Sequence, residues 1–341
     1  MGELFETIRT GAAEADRVGR LPDTVVNALV EAGVTRRLAP ARFGGGQLDL
    51  PAWVAEIEAL SAADGSAGWT AMTTSATSAL AWYLPEETAD EVFSPPDAVV
   101  AGTAAPRGTL TGDRVTGRWG WGSAVDWCTW VVGGISTPEG PRLALFPRAD
   151  VIVHETWDVA GLRGTASHEW EVVDAFVPAD RRVWPPSLHV EAPLPSFPFF
   201  SFLAMGVASV CLGIAGRALD EVESTDGLLD LATADARLAA ARAFLRAEVD
   251  ERWASALTGG ESTLRQRARL RLACSHAAHE AVSVTRSAFE VAGGSAVFSS
   301  SPLQRCLRDV HVAAQHAMVS RRLFETYARV RLDLPVDTGR L

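Results

Sequence analysis

The chain has 341 residues, 48% of them hydrophobic and 21% charged, with a net charge of −11. That is enough for one large domain or two to three smaller ones around a sizeable core, and the acidic balance argues against nucleic acid or an anionic membrane surface as a partner. No apolar run in the sequence reaches the roughly 20 residues that a membrane-spanning helix needs, and the opening MGELFETIRTGAAEADRVGR is too polar for a secretory leader, so a cytoplasmic protein is expected.

In chain order, residues 3 to 93 carry apolar positions at helical spacing. Leu21 to Val34 reads as one helix, opened by Pro22 and closed by Gly33. After the loop ARFGGGQLDLP a further helix begins near Pro51, and DGSAGWTAMTTSATSALAWYLP gives another whose small residues allow close packing. Composition shifts at Ser94-Pro95-Pro96. Six β-rich runs follow (AVVAG, GDRVTGRW, TWVVGG, PRLALFP, ADVIVHET and HEWEVVDAFVP) and predict a small antiparallel β-domain. WPPSLHVEAPLPSFP reads as a linker. From Phe199 the pattern is helical again, ending in a helix from about Leu303 to Val330. The expected domains are 1–95 (helical), 96–185 (β) and 186–341 (helical bundle), a mainly α protein with a central β-domain.

Cys128, Cys211, Cys274 and Cys306 show no CxxC spacing and are expected as reduced, mostly buried thiols. Six of the eleven tryptophans lie between Trp119 and Trp170, either lining an aromatic pocket or filling a core. There is no GxGxxG after a strand, no GxxxxGK[ST] and no HExxH. HAAHE puts His276 and His279 on one helix face with Glu280 beside them, but no second motif completes a ligand set, so no metal is expected. In WDVAGLRGTASHEW, Gly161 and Gly164 permit tight turns while Arg163, Thr165 and Ser167 gather hydrogen-bonding groups that suit an anionic or carbonyl-rich ligand. RDVHVAAQHAM holds two histidines five residues apart, about 140° around a helix, so at most one of His311 and His316 faces a given cavity.

GDRVTGRWGWGSAVDW and WDVAGLRGTASHEWEVVDAFVP resemble the two flavin-contacting segments of the acyl-CoA dehydrogenase fold, and the helix–β–helix order resembles that fold over nearly the whole chain. The resemblance implies an N-terminal helical domain, a middle antiparallel barrel or sandwich, and a C-terminal four-helix bundle that builds a homotetramer or homodimer. Dehydrogenases of this fold place a glutamate base after a Gly-Gly loop, but AGGSAVFSSSPLQRCLRD has no acid between Gly294 and Asp309. RDVHVAAQH, with His316 eight residues after Arg308, is instead similar to the two-component flavin monooxygenases. Those enzymes take reduced flavin from a separate NAD(P)H:flavin reductase and react it with O2 through a C4a-hydroperoxide.

On that resemblance the substrate is a small aromatic, polycyclic or amine compound, and the cofactor FMN, with FAD the alternative. The same resemblance makes His316 the catalytic imidazole, able to accept a phenol or amine proton or to hold the hydroperoxide. It also puts Ser123 near the flavin, Trp119 and Trp121 beside its ring, Arg163, Thr165 and Ser167 in a contacting loop, and Gly293 and Gly294 toward a neighbouring subunit's flavin. Where many members of the branch carry a second histidine, eight residues after a Gly-Trp, this chain has Thr77, whose hydroxyl takes that place in the expected catalytic set. The stretch from Glu223 to Ala236 looks shortened relative to the family. An acyl-CoA dehydrogenase-like enzyme, and a flavin-fold protein without turnover, remain the other readings.

Overall fold

The computed structural model describes residues 2–224, 226–339 and 341. Five helices come first: α1 (Gly2–Val18), α2 (Asp23–Glu31), α3 (Leu50–Ala63), α4 (Gly65–Ser78) and α5 (Glu86–Phe93). Their starts follow capping chemistry. The Asp49 carboxylate accepts the Ala52 N–H at 2.8 Å to open α3, and Asp64 accepts the Ala67 N–H at 2.9 Å to open α4. Gly33, at φ 67°, ends the turn after α2.

The sheet contains β1 (Val100–Thr111), β2 (Arg114–Gly122), β3 (Trp130–Thr137), β4 (Gly140–Pro147), β5 (Ile152–His154), β6 (His168–Phe176) and β7 (Arg182–Val183), in the order β5-β6-β2-β1-β3-β4-β7. Two features differ from the expected antiparallel β-domain. The two-residue β7 carries too little pattern to be seen in the sequence. In addition, β1 and β3 run parallel, with Val100 opposite Trp130. The segment after β2 crosses the start of β1, where Thr129 and Trp130 donate their N–H groups to the Val99 carbonyl at 2.9 and 3.1 Å. β3 therefore enters on the far side of β1.

The C-terminal part holds α6 (Pro193–Ser196), α7 (Phe199–Asp220), α8 (Leu228–Leu257), α9 (Leu264–Ala292), α10 (Pro302–Ala313) and α11 (Arg322–Arg331). The proline-rich linker is not wholly free chain, since it forms α6 and buries Leu194 and Phe197. Contrary to the sequence expectation, α7 is long and apolar enough to cross a membrane, with 22 residues and a mean hydropathy of 2.0 in its most apolar window. In this fold 78% of that window is buried. It is the central helix of the bundle and lies tight against α3, where a Cβ on Gly213 would stand 2.2 Å from the Glu58 carbonyl. Glu58, 7% exposed, receives Arg242 at 2.5 Å and Arg246 at 3.3 Å from α8. Within the stretch from Glu223 to Ala236, the 30-residue α8 begins at Leu228.

The last helix is not continuous. It stops at Ala313, a short 3-10 turn covers Ala317–Val319, and α11 resumes at Arg322. Helical spacing across both halves conceals the break, because the turn keeps Val319 buried. All four cysteines are free and buried, and burial pushes each thiol up to about 12, so the thiols stay protonated.

Candidate active site

Three of the residues singled out from the sequence meet in one hydrogen-bonded chain. The loop between β5 and β6 contains two non-glycine residues in the left-handed region, Leu162 at φ 51° and Ala166 at φ 42°. Such backbone costs on the order of 1–3 kcal/mol per residue and persists only where its surroundings hold it. Here they do. The Leu162 N–H donates to the Asp309 carboxylate on α10 at 2.6 Å. Its carbonyl accepts from the Thr165 hydroxyl at 2.8 Å and the Trp157 indole N–H at 3.1 Å. Gly161 lies so close to α10 that a Cβ there would stand 2.3 Å from the Arg308 carbonyl.

From Leu162 the chain runs inward. Thr165 gives its single proton to the Leu162 carbonyl, so it accepts from Ser167 at 2.7 Å. Ser167 in turn accepts from Ser123 at 2.7 Å, and Ser123 accepts from the Trp69 indole N–H at 3.1 Å. Ser123, Thr165 and Ser167 are all buried. On its other side Trp69 meets His316 edge to face, with ring centroids 5.7 Å apart at 69°. One indole thus links the hydroxyls of the sheet to the imidazole of the C-terminal bundle.

His316 keeps an exposed surface, although protein atoms crowd its ring on most sides. Burial, helped by the Arg271 cation, pushes its pKa down to about 4, so it is neutral at physiological pH. It does not sit on the helix that the 140° argument assumed. It caps the 3-10 turn beyond α10, and its Nδ1 accepts the Met318 N–H at 3.3 Å. His311 is exposed near the end of α10.

Other expected site residues are placed differently. Trp119 is fully buried, stacked on Trp170 at 4.2 Å, with its N–H donated to the Gly134 and Ala105 carbonyls at 2.9 and 3.1 Å. It is core, with no face left for a cofactor. Trp121 departs from it because the β2–β6 register shifts between Trp119 and Gly122. With φ at 63°, Trp121 turns outward and is 62% exposed. Arg163 is an anchor rather than a free cation, donating to the Asp16 carbonyl at 2.8 Å and the Val159 carbonyl at 2.9 Å. The Thr77 hydroxyl is engaged by the carbonyls of Val100, Thr74 and Thr73, so it ties α4 to β1 and has no proton left for catalysis. Gly293 and Gly294 are exposed beyond α9, with nothing within 4 Å of where a Cβ would stand. His276 faces Phe244, His279 faces Phe324, and Glu280 holds Arg237 at 2.8 Å, so HAAHE is spread over separate contacts.

The sequence reading missed Trp69, used there only to count to Thr77, and also Arg271 and Met318. Only Gly68-Trp69 offered a signal, an indole among small residues on a buried helix. A surface cleft of about 590 Å³ bounded by Arg20, Asn27, Asp126 and Trp127 contains none of the site residues.

Helices on either side of a central sheet, meeting where Trp69 joins Ser123 to His316, fit the acyl-CoA dehydrogenase type of fold. Residues 4–93 match the acyl-CoA dehydrogenase N-terminal domain, and residues 227–321 the acyl-CoA dehydrogenase C-terminal domain. The chain is 34% identical to indole-3-acetate monooxygenase of Pseudomonas putida, over 93% of this chain and 90% of that protein. It is 28% identical to the flavin-dependent monooxygenase oxygenase subunit HsaA of Rhodococcus jostii, over 98% of this chain and 97% of that one. The crystal structure of 3-HSA hydroxylase from Rhodococcus sp. RHA1 superposes with a TM-score of 0.93 at 27% identity, over 99% of this chain and 97% of that one. The chain belongs to the acyl-CoA dehydrogenase family, on its flavin-dependent monooxygenase branch.

Proposed function

We propose that this protein is the oxygenase component of a two-component system, taking reduced flavin from a separate NAD(P)H:flavin reductase and hydroxylating a small aromatic compound. The observation that carries the reading is the Trp69 bridge, which brings Ser123 and His316 to one place from two different layers of the fold. The donor set suits a flavin. Every proton of the hydroxyl chain is committed toward the Leu162 carbonyl, so Ser123 keeps a lone pair for a ring N–H, and the exposed indole of Trp121 offers a flat apolar face. When bound, reduced flavin supplies the electrons that activate O2, one oxygen atom going to the substrate and the other leaving as water.

The chain's own residues bind and orient. Thr165 and Ser167 fix Ser123, the apolar wall of Trp69 limits water, and His316 supplies a neutral imidazole for hydrogen bonding. Asp309 does not serve as a dehydrogenase base, because it is buried and engaged by Leu162. An aromatic, indole-like acid is the first substrate to screen, since the relative at 34% identity is named for indole-3-acetate. We take FMN as the flavin and a homotetramer as the assembly, with Gly293 and Gly294 turned toward a neighbour. The four unpaired thiols suit the cytoplasm.

The test is to load the protein anaerobically with one equivalent of reduced FMN, or FAD in a parallel series, then mix with oxygenated buffer and follow flavin absorbance. The proposal expects oxidised flavin to return more slowly than in free solution, and faster in His316→Ala than in wild type. Reoxidation at the free-flavin rate with both cofactors would refute it.

A further inference from the structure

His316 has two ring nitrogens, and their roles are set by neighbours that the sequence reading overlooked. The Met318 N–H, two residues on, donates to Nδ1 at 3.3 Å. A neutral imidazole has one donor and one acceptor nitrogen, so accepting at Nδ1 places the proton on Nε2. The nitrogen left for any other group is therefore a donor.

Nothing in a three-residue 3-10 turn would hold that geometry alone, since each such turn has poor internal hydrogen bonding. The turn is clamped by Arg271 of α9, which is 1% exposed. One guanidinium nitrogen donates to the Met318 carbonyl at 3.0 Å, and the other donates to the Phe200 carbonyl in the first turn of α7 at 2.9 Å and approaches the Met318 sulfur at 3.5 Å. A planar fork suits this task, because one rigid group joins two helices to the turn. The Arg271 cation acts in the same direction as burial and opposes protonation of the imidazole.

We propose that Arg271 is a positioning residue that locks His316 in the Nε2–H form, so that His316 acts on the reaction as a hydrogen-bond donor to oxygen and not as a proton acceptor. The tautomer follows from the fold alone, while its catalytic meaning rests on the oxygenase reading. This narrows the two roles expected of His316 from sequence. Proton removal from a phenol or amine would need a free lone pair, and the one that His316 has is held by Met318. Holding an oxygen needs only the N–H.

The test is nitrogen-15 solid-state NMR of the full-length protein labelled at histidine, with the His316 signals assigned by their loss in His316→Gln. An unprotonated Nδ1 and a protonated Nε2, unchanged between pH 5.5 and 8, are expected of the wild type. Arg271→Met should mix the two tautomers and raise the titration midpoint, by about one pH unit. Arg271→Lys, which keeps the charge without the fork, should keep the low midpoint but still mix tautomers. A proton on Nδ1 in the wild type, or titration near pH 6.5, would overturn the proposal even if Arg271→Met does not fold. Because this readout needs no flavin, an enzyme that failed to bind flavin would sink the oxygenase reading while leaving the tautomer to be judged on its own.

Discussion

Asp309 offers the sharpest test of how the site is held. It is 3% exposed and accepts the N–H of Leu162, a residue with left-handed backbone. Asp309→Ala removes that acceptor and leaves a buried donor unpaired, which costs about 1–3 kcal/mol, with release of the loop strain offsetting part of it. Asp309→Asn keeps an oxygen for the N–H and removes the charge. That charge matters because burial first, and then the nearby Asp64 carboxylate, raise the Asp309 pKa from 3.8 to about 7, against the opposing effects of the Leu162 N–H, Arg308 and Arg305.

The native carboxyl thus binds its proton more tightly than the unfolded chain does. Between pH 3.8 and about 7 the native state holds the extra proton, so this group's contribution is full below that window and is lost as pH rises through it. The slope is at most about 1.4 kcal/mol per pH unit. Urea unfolding followed by tryptophan fluorescence at pH 5 and pH 8 measures it. Asp309→Asn should gain on the wild type as pH rises, exceeding it by more at pH 8 than at pH 5, and show a flatter dependence between them. Asp309→Ala should be weaker than Asn at both. If Asn proves as damaging as Ala and the pH dependence is unaltered, Asp309 is neither the loop's acceptor nor a strained carboxyl.

Thr77→Val, which removes only a hydroxyl bound to carbonyls, should lower stability by about 1 kcal/mol and leave turnover of the flavin-loaded enzyme unchanged; a loss of activity without loss of stability would restore Thr77 to the catalytic set. Trp121→Ala should weaken flavin binding several-fold, matching about 0.5–1.5 kcal/mol of aromatic contact, with an unchanged melting temperature; equal affinity by fluorescence titration would remove Trp121 from the site. Gly161→Ala forces the loop off α10 and should cost about 1–3 kcal/mol in denaturant unfolding, whereas Gly294→Ala, with nothing within 4 Å, should leave the isolated fold unaffected.

Element type was legible wherever period and caps agreed. The helices opened by Asp49 and Asp64 and the six longer strands stand close to where their patterns put them. What escaped were features that a period cannot report. Alternation puts Trp119 and Trp121 on one face, and only the bulge between Trp119 and Gly122 separates them into a core residue and an exposed one. Helical spacing continues through the break after Ala313, so His316 was read on a helix when it stands on a turn. Arg163 was expected to donate to a ligand, yet its hydrogen bonds go to carbonyls of its own chain, including that of Asp16, far away in sequence. Ser123, Thr165 and Ser167 could be grouped by composition, but the indole that joins them to His316 became visible only with α4 laid against the sheet.

The loop's anchors have a consequence for biosynthesis. Arg308 pairs with Asp16 at 2.7 Å across a sequence separation of 292, and Asp309 reaches Leu162 across 147. A chain emerging from the ribosome can complete its first helices and its sheet long before α10 is made, and until then the left-handed backbone at Leu162 lacks its acceptor. The loop between β5 and β6 is therefore among the last parts to be set. A nascent or C-terminally truncated chain would carry the helices and the sheet without a set loop, so the hydroxyl chain that leads from Leu162 to Ser123 waits for the finished chain.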